Sequence, residues 1–262
     1  MVANLQAQEG RYVLFSKLED SLSVAGDEYF FTSHRYPGVL FPQAPPILKE
    51  FLLDVCPRFI YRAGESSLLK SVLLVPEKGI LLIRYDLVRS PRAGILRLKP
   101  LLAYRGYHDL AHANLYLRSR TEEIANGLTI EPYEGMPPLF IRTSASSRFV
   151  ASPLWYNRFE YSQERERGFD WEEDLFHPGI IEIPVEEDST VILAVSCESP
   201  LEDPESLWET EIHRRRKATS EDEKLAEGFT GEDREVFLAL LRAGRQFLIR
   251  TPTGRPVFPS VS

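Results

Sequence analysis

Residues 67–88 read SLLKSVLLVPEKGILLIRYDLV, and a few residues later 95–104 read ILRLKPLLAY. In the second stretch Leu96 and Leu98 alternate with Arg97 and Lys99. A period of two puts apolar side chains on one face of a strand and polar ones on the other. The first stretch is two apolar runs joined at Glu77-Lys78-Gly79, and Ser90 to Gly94 supplies the turn into the next strand. Working outward, residues 11–20 and 28–33 flank Val24-Ala25-Gly26-Asp27 as a hairpin, and Ile181, Ile183 and Val185 alternate with Glu182. Further strands are expected near 58–62, 128–133, 138–142, 147–150, 154–161 and 190–198. Consecutive strands with short turns and no intervening helical period predict a mainly β chain, an antiparallel sandwich and not a βαβ fold.

After Pro200 the period changes. Asp203-Pro204 has the N-cap and first-turn chemistry of a helix start, and Leu207, Trp208 and Ile212 form a short apolar stripe. The run Arg214-Arg215-Arg216-Lys217 is expected to complement the negative C-terminal end of that helix. A second helix starts at Thr230, where T-G-E-D resembles a capping box, with Val236, Phe237, Leu240, Leu241, Phe247 and Leu248 on one face. The expected division is a β-sandwich over 1–200 and two connector helices over 201–262.

A formal net charge of -8 argues against nucleic acid or an anionic membrane as partner. No apolar run approaches the roughly 20 residues of a membrane span. Met1–Gly10 lacks the basic start and apolar stretch of a secretory signal. Cys56 and Cys197 are too few for a disulfide framework or a zinc site, so the expected address is the cytoplasm. No glycine-rich phosphate loop, HExxH, nucleophile elbow or paired CxxC is present, and no cofactor is expected. His108 and His112 have i, i+4 spacing but no evident third ligand, so no metal site is assigned. Glu160, Glu164, Asp170 and Asp174 lie near aromatics, but none stands out as a general acid.

Two segments read unlike scaffold: YRGYHDLAHAN, 104–114, and WYNRFEYSQERERGFDWEEDLFHPG, 155–179. Both mix flat aromatics with planar or bidentate polar groups. Sugars ask for this mixture, because C–H faces rest on rings while hydroxyls take hydrogen bonds. The candidate substrate-contacting residues are Tyr104, Arg105, Tyr107, His108, Asp109 and Asn114 in the first segment. In the second they are Trp155, Tyr156, Asn157, Arg158, Glu164, Arg165 and Trp171. Residues 104–114 and 155–174 are expected to be loops on one rim of the sandwich.

GRYVLFSKLED (10–20), YPGVLFPQ (36–43), LKPLLAYRGYHDL (98–110), YEGMPPLF (133–140), the 155–179 stretch and LLRAGRQFLIRTPTGRP (240–256) together resemble the N-terminal domain of bacterial and archaeal glycogen debranching enzymes of the amylo-α-1,6-glucosidase type. The resemblance implies a galactose-mutarotase-like β-supersandwich followed by connector helices. It also implies a helical (α/α)6 catalytic barrel, in cis or as a separate chain, that carries the acidic catalytic residues. In the family a stretch patterned N-T-R-[KR]-Y-H-G-L precedes the part matched here, so opening strands and the barrel are expected to lie outside this sequence. No catalytic residue carries over. The implied role is to shape an α-glucan cleft for glycogen or maltodextrin, with rim charges bonding across to the barrel. Two alternatives stand beside it: a free-standing aldose epimerase or mutarotase using His108 or His177 with Glu160, and a non-catalytic glucan-binding module.

Overall fold

The computed structural model describes residues 2–5, 10–43, 47–198, 203–247, 249–250 and 256–257. One sheet contains β1 (Val2–Leu5), β2 (Gly10–Val24), β3 (Asp27–Phe30), β10 (Gly94–Gly106), β14 (Arg148–Glu160) and β15 (Glu172–Val185). Its order is β1-β2-β10-β15-β14, with β3 also paired to β2. The second sheet contains β6 (Leu48–Leu53), β7 (Pro57–Ala63), β8 (Ser66–Val75), β9 (Ile80–Arg89), β11 (Thr121–Ile124), β12 (Gly127–Ile130), β13 (Leu139–Thr143) and β16 (Thr190–Ser196). Its order is β11-β12-β13-β16-β9-β8-β7-β6. Every pairing in both sheets is antiparallel. A hairpin of β4 (His34–Tyr36) and β5 (Val39–Phe41) stands apart from both sheets.

The alternation read from the sequence selects the core. Leu14, Leu18 and Leu22 of β2, Leu96 and Leu98 of β10, and Ile181, Ile183 and Val185 of β15 bury in one cluster. Ile83, Tyr85 and Leu87 of β9 and Val191, Leu193 and Val195 of β16 meet them from the other sheet. The expected hairpins at 24–27 and 77–79 form, the second turn starting one residue early at Pro76; Ala25 and Gly26 both take positive φ, as a two-residue hairpin turn requires.

One charged pair sits inside this core. Asp20 points inward from β2, fully buried, and accepts hydrogen bonds from Lys70 Nζ of β8 and, at 2.6 Å, from the Tyr85 hydroxyl of β9. It ties one sheet to the other. Burial pushes the Tyr85 phenol up, and the Asp20 charge adds to it, so Tyr85 stays a donor.

Several expectations change. Strands β1, β4, β5, β6 and β11 were not foreseen. Residues 155–174 are not a loop: Trp155–Glu160 ends β14, Glu172 opens β15, and only the stretch between them is non-strand, holding the short helix α1 (Ser162–Glu166). Likewise Tyr104–Gly106 still belongs to β10.

The chain divides into compact units Met1–Trp208 and Glu209–Ser262. Helix α2 (Pro204–Leu225) begins as expected, with Asp203 Oδ2 accepting from the backbone N–H groups of Glu205 and Ser206 at 3.1 Å each. It runs past the basic run, so Arg214–Lys217 lies mid-helix and not at its end. The physical reason is Glu211, buried one turn earlier and bonded by Arg214 and Arg215 at 2.7 Å. Burial alone would raise its carboxyl, and the two guanidiniums outweigh that and hold it low. Helix α3 (Gly231–Phe247) begins where the capping box predicts. There Leu238 is buried, Phe237 and Leu241 are half-buried, and Val236 and Leu240 are exposed. Phe237 stacks on Phe229 with centroids 4.3 Å apart. The Phe247 side chain, Leu248 and most of the closing TPTGRPVFPSVS lie outside the described residues.

Replacing Lys70 by Met leaves the Asp20 carboxylate buried without its counter-charge, which costs about 3–5 kcal/mol. Urea unfolding of Lys70→Met against the Asp20→Asn/Lys70→Met double variant checks this, the double variant recovering part of the loss.

Candidate functional site

The two segments singled out in the sequence meet at one end of the six-stranded sheet. Register slips between Leu102 and Arg105 in β10, and again between Tyr156 and Phe159 in β14. Each bulge holds a bulky residue in the left-handed region, Tyr104 at φ 48 and Arg158 at φ 63. Such conformations persist only where the surroundings over-determine them, and bulges re-aim side chains at the margins of sheets.

Between the bulges, the first residues of β15 supply the acceptors that join the segments. Glu173 is 0% exposed and receives Arg105 Nε, the Tyr161 hydroxyl and, at 3.2 Å, the Ala111 N–H. Asp174 receives the Arg158 N–H at 2.7 Å and the Ala113 N–H at 2.9 Å, and its own N–H bonds Ala111 O at 2.8 Å. A buried carboxylate costs several kcal/mol unless donors surround it. The Glu173 constellation therefore fixes the rim. Burial raises the Tyr161 phenol, the Glu173 charge and hydrogen bond add to the shift, and it remains a proton donor.

The same face continues inward along the sheet. Glu19 of β2 lies 2.7 Å from Lys99 Nζ and 3.2 Å from His34 Nε2 of β4. His34 and Tyr36 of the hairpin pack on Phe159 at 5.1 and 5.0 Å, so β4 covers this face. Burial by itself would raise the Glu19 carboxyl; hydrogen bonds from His34 and Lys99 outweigh it and hold the group at about 2. Lys17 lies over the rings of Phe159 at 4.8 Å and Tyr161 at 5.2 Å, and desolvation lowers its pKa against the opposing pull of Glu173.

The predicted residues fall into distinct environments. Tyr104 is buried in the main core with its hydroxyl donating to Pro137 O at 3.1 Å, and Trp155 is half-buried edge-on to Phe176 at 5.6 Å. Tyr156 packs on the opposite face against His177 and Phe159. Arg105 is spent on Glu173 and on the carbonyls of Gly106 and Tyr107. Arg158 grips Glu172 through 2.9 and 3.1 Å bonds, Glu164 pairs with Arg167, and the Arg165 guanidinium sits 5.3 Å over the Trp171 ring. Asn114 bonds His112 O, the Tyr133 hydroxyl and the Tyr116 N–H. Tyr107 is 47% exposed with the Arg11 guanidinium 4.8 Å over its ring, and His108 packs edge-on to it. Asp109 and Asn157 are exposed. Arg105, Arg158 and Glu164 thus have charged partners within the chain.

Sequence reasoning missed Glu19, His34, Lys99, Lys17, Tyr161 and Glu173. It also missed Leu115 and Tyr116, 100% and 86% exposed beside the first segment. The acid–base pairing of His177 with Glu160 does not converge: His177 is opposite Leu154 while Glu160 is opposite Glu172. At about 3.3 Å per residue the two are on the order of 17 Å apart along the strand. Among the described residues no cluster of three or more His, Cys, Asp or Glu could hold a metal, and no helix is long and apolar enough to cross a membrane.

Residues 1–192 match the family model described as glycogen debranching enzyme N terminal. No curated protein matches the chain. Among solved structures, a bacterial glucoamylase complexed with acarbose is similar over 80% of this chain, at 7% identity and a TM-score of 0.38. The match covers 32% of the glucoamylase chain, so this chain spans about a third of that structure's length.

Because the Glu19 carboxyl is depressed, its contribution to stability is fully present above the ordinary carboxylate range and is lost as pH falls from about 4.3 toward 2. Thermal unfolding across that window should fall more steeply for the native chain than for Glu19→Gln.

Proposed function

The chain belongs to the glycogen debranching enzyme N-terminal domain family, and on that premise we propose that it shapes the α-glucan cleft of such an enzyme without catalysing hydrolysis itself. Its partners in this reading are glycogen or maltodextrin and a helical (α/α)6 catalytic domain, in cis or as a separate chain. Residues 201–262 serve as the connector toward that domain, and the cytoplasm is the place of action. What supports it is the single rim into which Glu173 and Asp174 join the two segments, with the exposed Tyr107 ring beside the paired Arg105.

That arrangement suits a neutral polyol. Tyr107 offers a ring held in place by Arg11, and pyranose C–H faces rest on such rings. Trp155 supports the rim from within and does not present a free face. The reading differs here from the expectation drawn from sequence, where both served as contacts.

Native electrophoresis through gels containing glycogen or amylopectin tests the proposal. The chain should be retarded relative to a sugar-free gel. Tyr107→Ala should weaken retardation by about threefold to tenfold at unchanged Tm, as expected for loss of one exposed ring contact of about 1 kcal/mol. Trp155→Ala should instead lower Tm. Absence of retardation in either polysaccharide overturns the proposal.

A further inference from the structure

A cavity of about 270 Å3 opens beside the first segment, lined by Tyr104, Arg105, His112, Asn114, Tyr133 and Met136 among others. Its size lies just below the range of roughly 300–1,000 Å3 typical of small-molecule sites, which suits one sugar ring and not an oligosaccharide. Two of its polar groups, Asn114 and Tyr133, hold each other in orientation before any ligand arrives, and the exposed His112 ring stands at the mouth with Nδ1 4.0 Å from the Asp174 carboxylate. The Asn114 amide donates to the Tyr133 hydroxyl at 2.9 Å and to His112 O at 3.0 Å, while its Oδ1 accepts the Tyr116 N–H at 3.1 Å. Having accepted one bond, the Tyr133 hydroxyl keeps its own proton to donate. The Tyr104 and Tyr133 rings lie 6.2 Å apart and give the cavity an apolar side.

Charge decides the ligand class. The one guanidinium at the cavity, Arg105, is paired with the buried Glu173 carboxylate and with two carbonyls. An anion would meet a cation already neutralised. A neutral polyol meets the Tyr133 hydroxyl proton, the remaining lone pair of Asn114 Oδ1 and the exposed His112 imidazole beside an apolar side. We propose that this cavity is a seat for a single neutral α-D-glucopyranosyl unit, built from His112, Asn114 and Tyr133 and kept electrically neutral by the Arg105–Glu173 pair. The assignment rests on the glucan reading above and adds to it that recognition is confined to one ring. Pre-fixed groups spare the ordering cost of binding, and a one-ring contact area keeps affinity low.

Titrations of the full chain with methyl α-D-glucopyranoside, maltose and maltoheptaose, followed by calorimetry or by protein NMR shifts, read this directly. The three affinities should agree within about threefold, since no neighbouring subsite adds contacts, and glucose 6-phosphate should bind no tighter. His112→Ala, an exposed position, should weaken maltose by about threefold to tenfold, the worth of one neutral hydrogen bond, at unchanged Tm, and Tyr133→Phe should weaken it at least as much while lowering Tm slightly, because the Asn114 amide loses its acceptor. Maltoheptaose binding more than about tenfold tighter than maltose, or maltose affinity unchanged in His112→Ala, overturns the proposal. If the chain is retarded in glycogen gels while that variant is silent, the cavity assignment falls and the cleft reading stands. If neither the gels nor the titrations register binding, both fall.

Discussion

A carboxylate shut away from water must be met by donors, and β2 carries two on consecutive residues that face opposite ways. Asp20 points into the space between the sheets and meets Lys70 and Tyr85. Glu19 points to the other face and meets Lys99 and His34. Successive strand residues alternate faces, so both faces of β2 have to be covered: one by the eight-stranded sheet, the other by the hairpin His34–Phe41. Glu173 repeats the logic two strands away, on β15. The central strands of the six-stranded sheet are therefore buried on both sides, and the sandwich has a second, thinner layer of packing, Leu101, Ala103, Ala111, Phe159 and Leu175, on the face that a two-layer fold would leave wet.

This explains how much could be read from sequence. The inner face was legible because Leu96, Leu98, Ile181 and Ile183 obey a period of two, and the pairing of β10 with β15 keeps one register from residue 94 to 98, before the first slip. The outer face was not. Lys17, Glu19, Arg97 and Lys99 give the same alternation whether they face water or a covering hairpin, because polar residues partnered under cover and polar residues in water are spelled alike. The hairpin itself is three residues a strand, interrupted by Pro37 and Gly38, too short for periodicity to register. The length of α2 was hidden for a related reason: Arg214–Lys217 looks like a helix-end cluster until the buried Glu211 that needs two of those guanidiniums is seen.

The candidate site was half legible. The stretch 155–160 was noticed because it fails to alternate, and the cause is the bulge between Tyr156 and Phe159. A bulge inserts a residue and flips the parity of everything beyond it. Trp155 therefore packs toward Phe176 in the main core while Tyr156 and Phe159 sit together on the far face. Sequence can register that alternation breaks; it cannot say which side each ring takes. Nor could it tell that Tyr104, one bulge away, turns into the core, or that Tyr116 stands almost wholly in solvent.

Internal satisfaction of the rim charges changes what kind of surface this end of the sandwich is. An unpaired Arg or Glu at an interface must be stripped of water before it can bond a partner, and the penalty offsets much of the attraction. Here Arg105 is already paired with the buried Glu173, so that its desolvation was settled when the chain folded, while Arg158 and Arg165 are engaged by Glu172 and Trp171 nearer to water. What the rim then offers is the Tyr107 ring under Arg11 and the Tyr133 hydroxyl held by Asn114, beside the buried Arg105–Glu173 pair. On the reading proposed above, specificity on such a surface would come from shape and hydrogen-bond placement more than from charge. It would depend only weakly on ionic strength, because the Arg105–Glu173 pair that anchors the first segment lies out of water, where salt screens least.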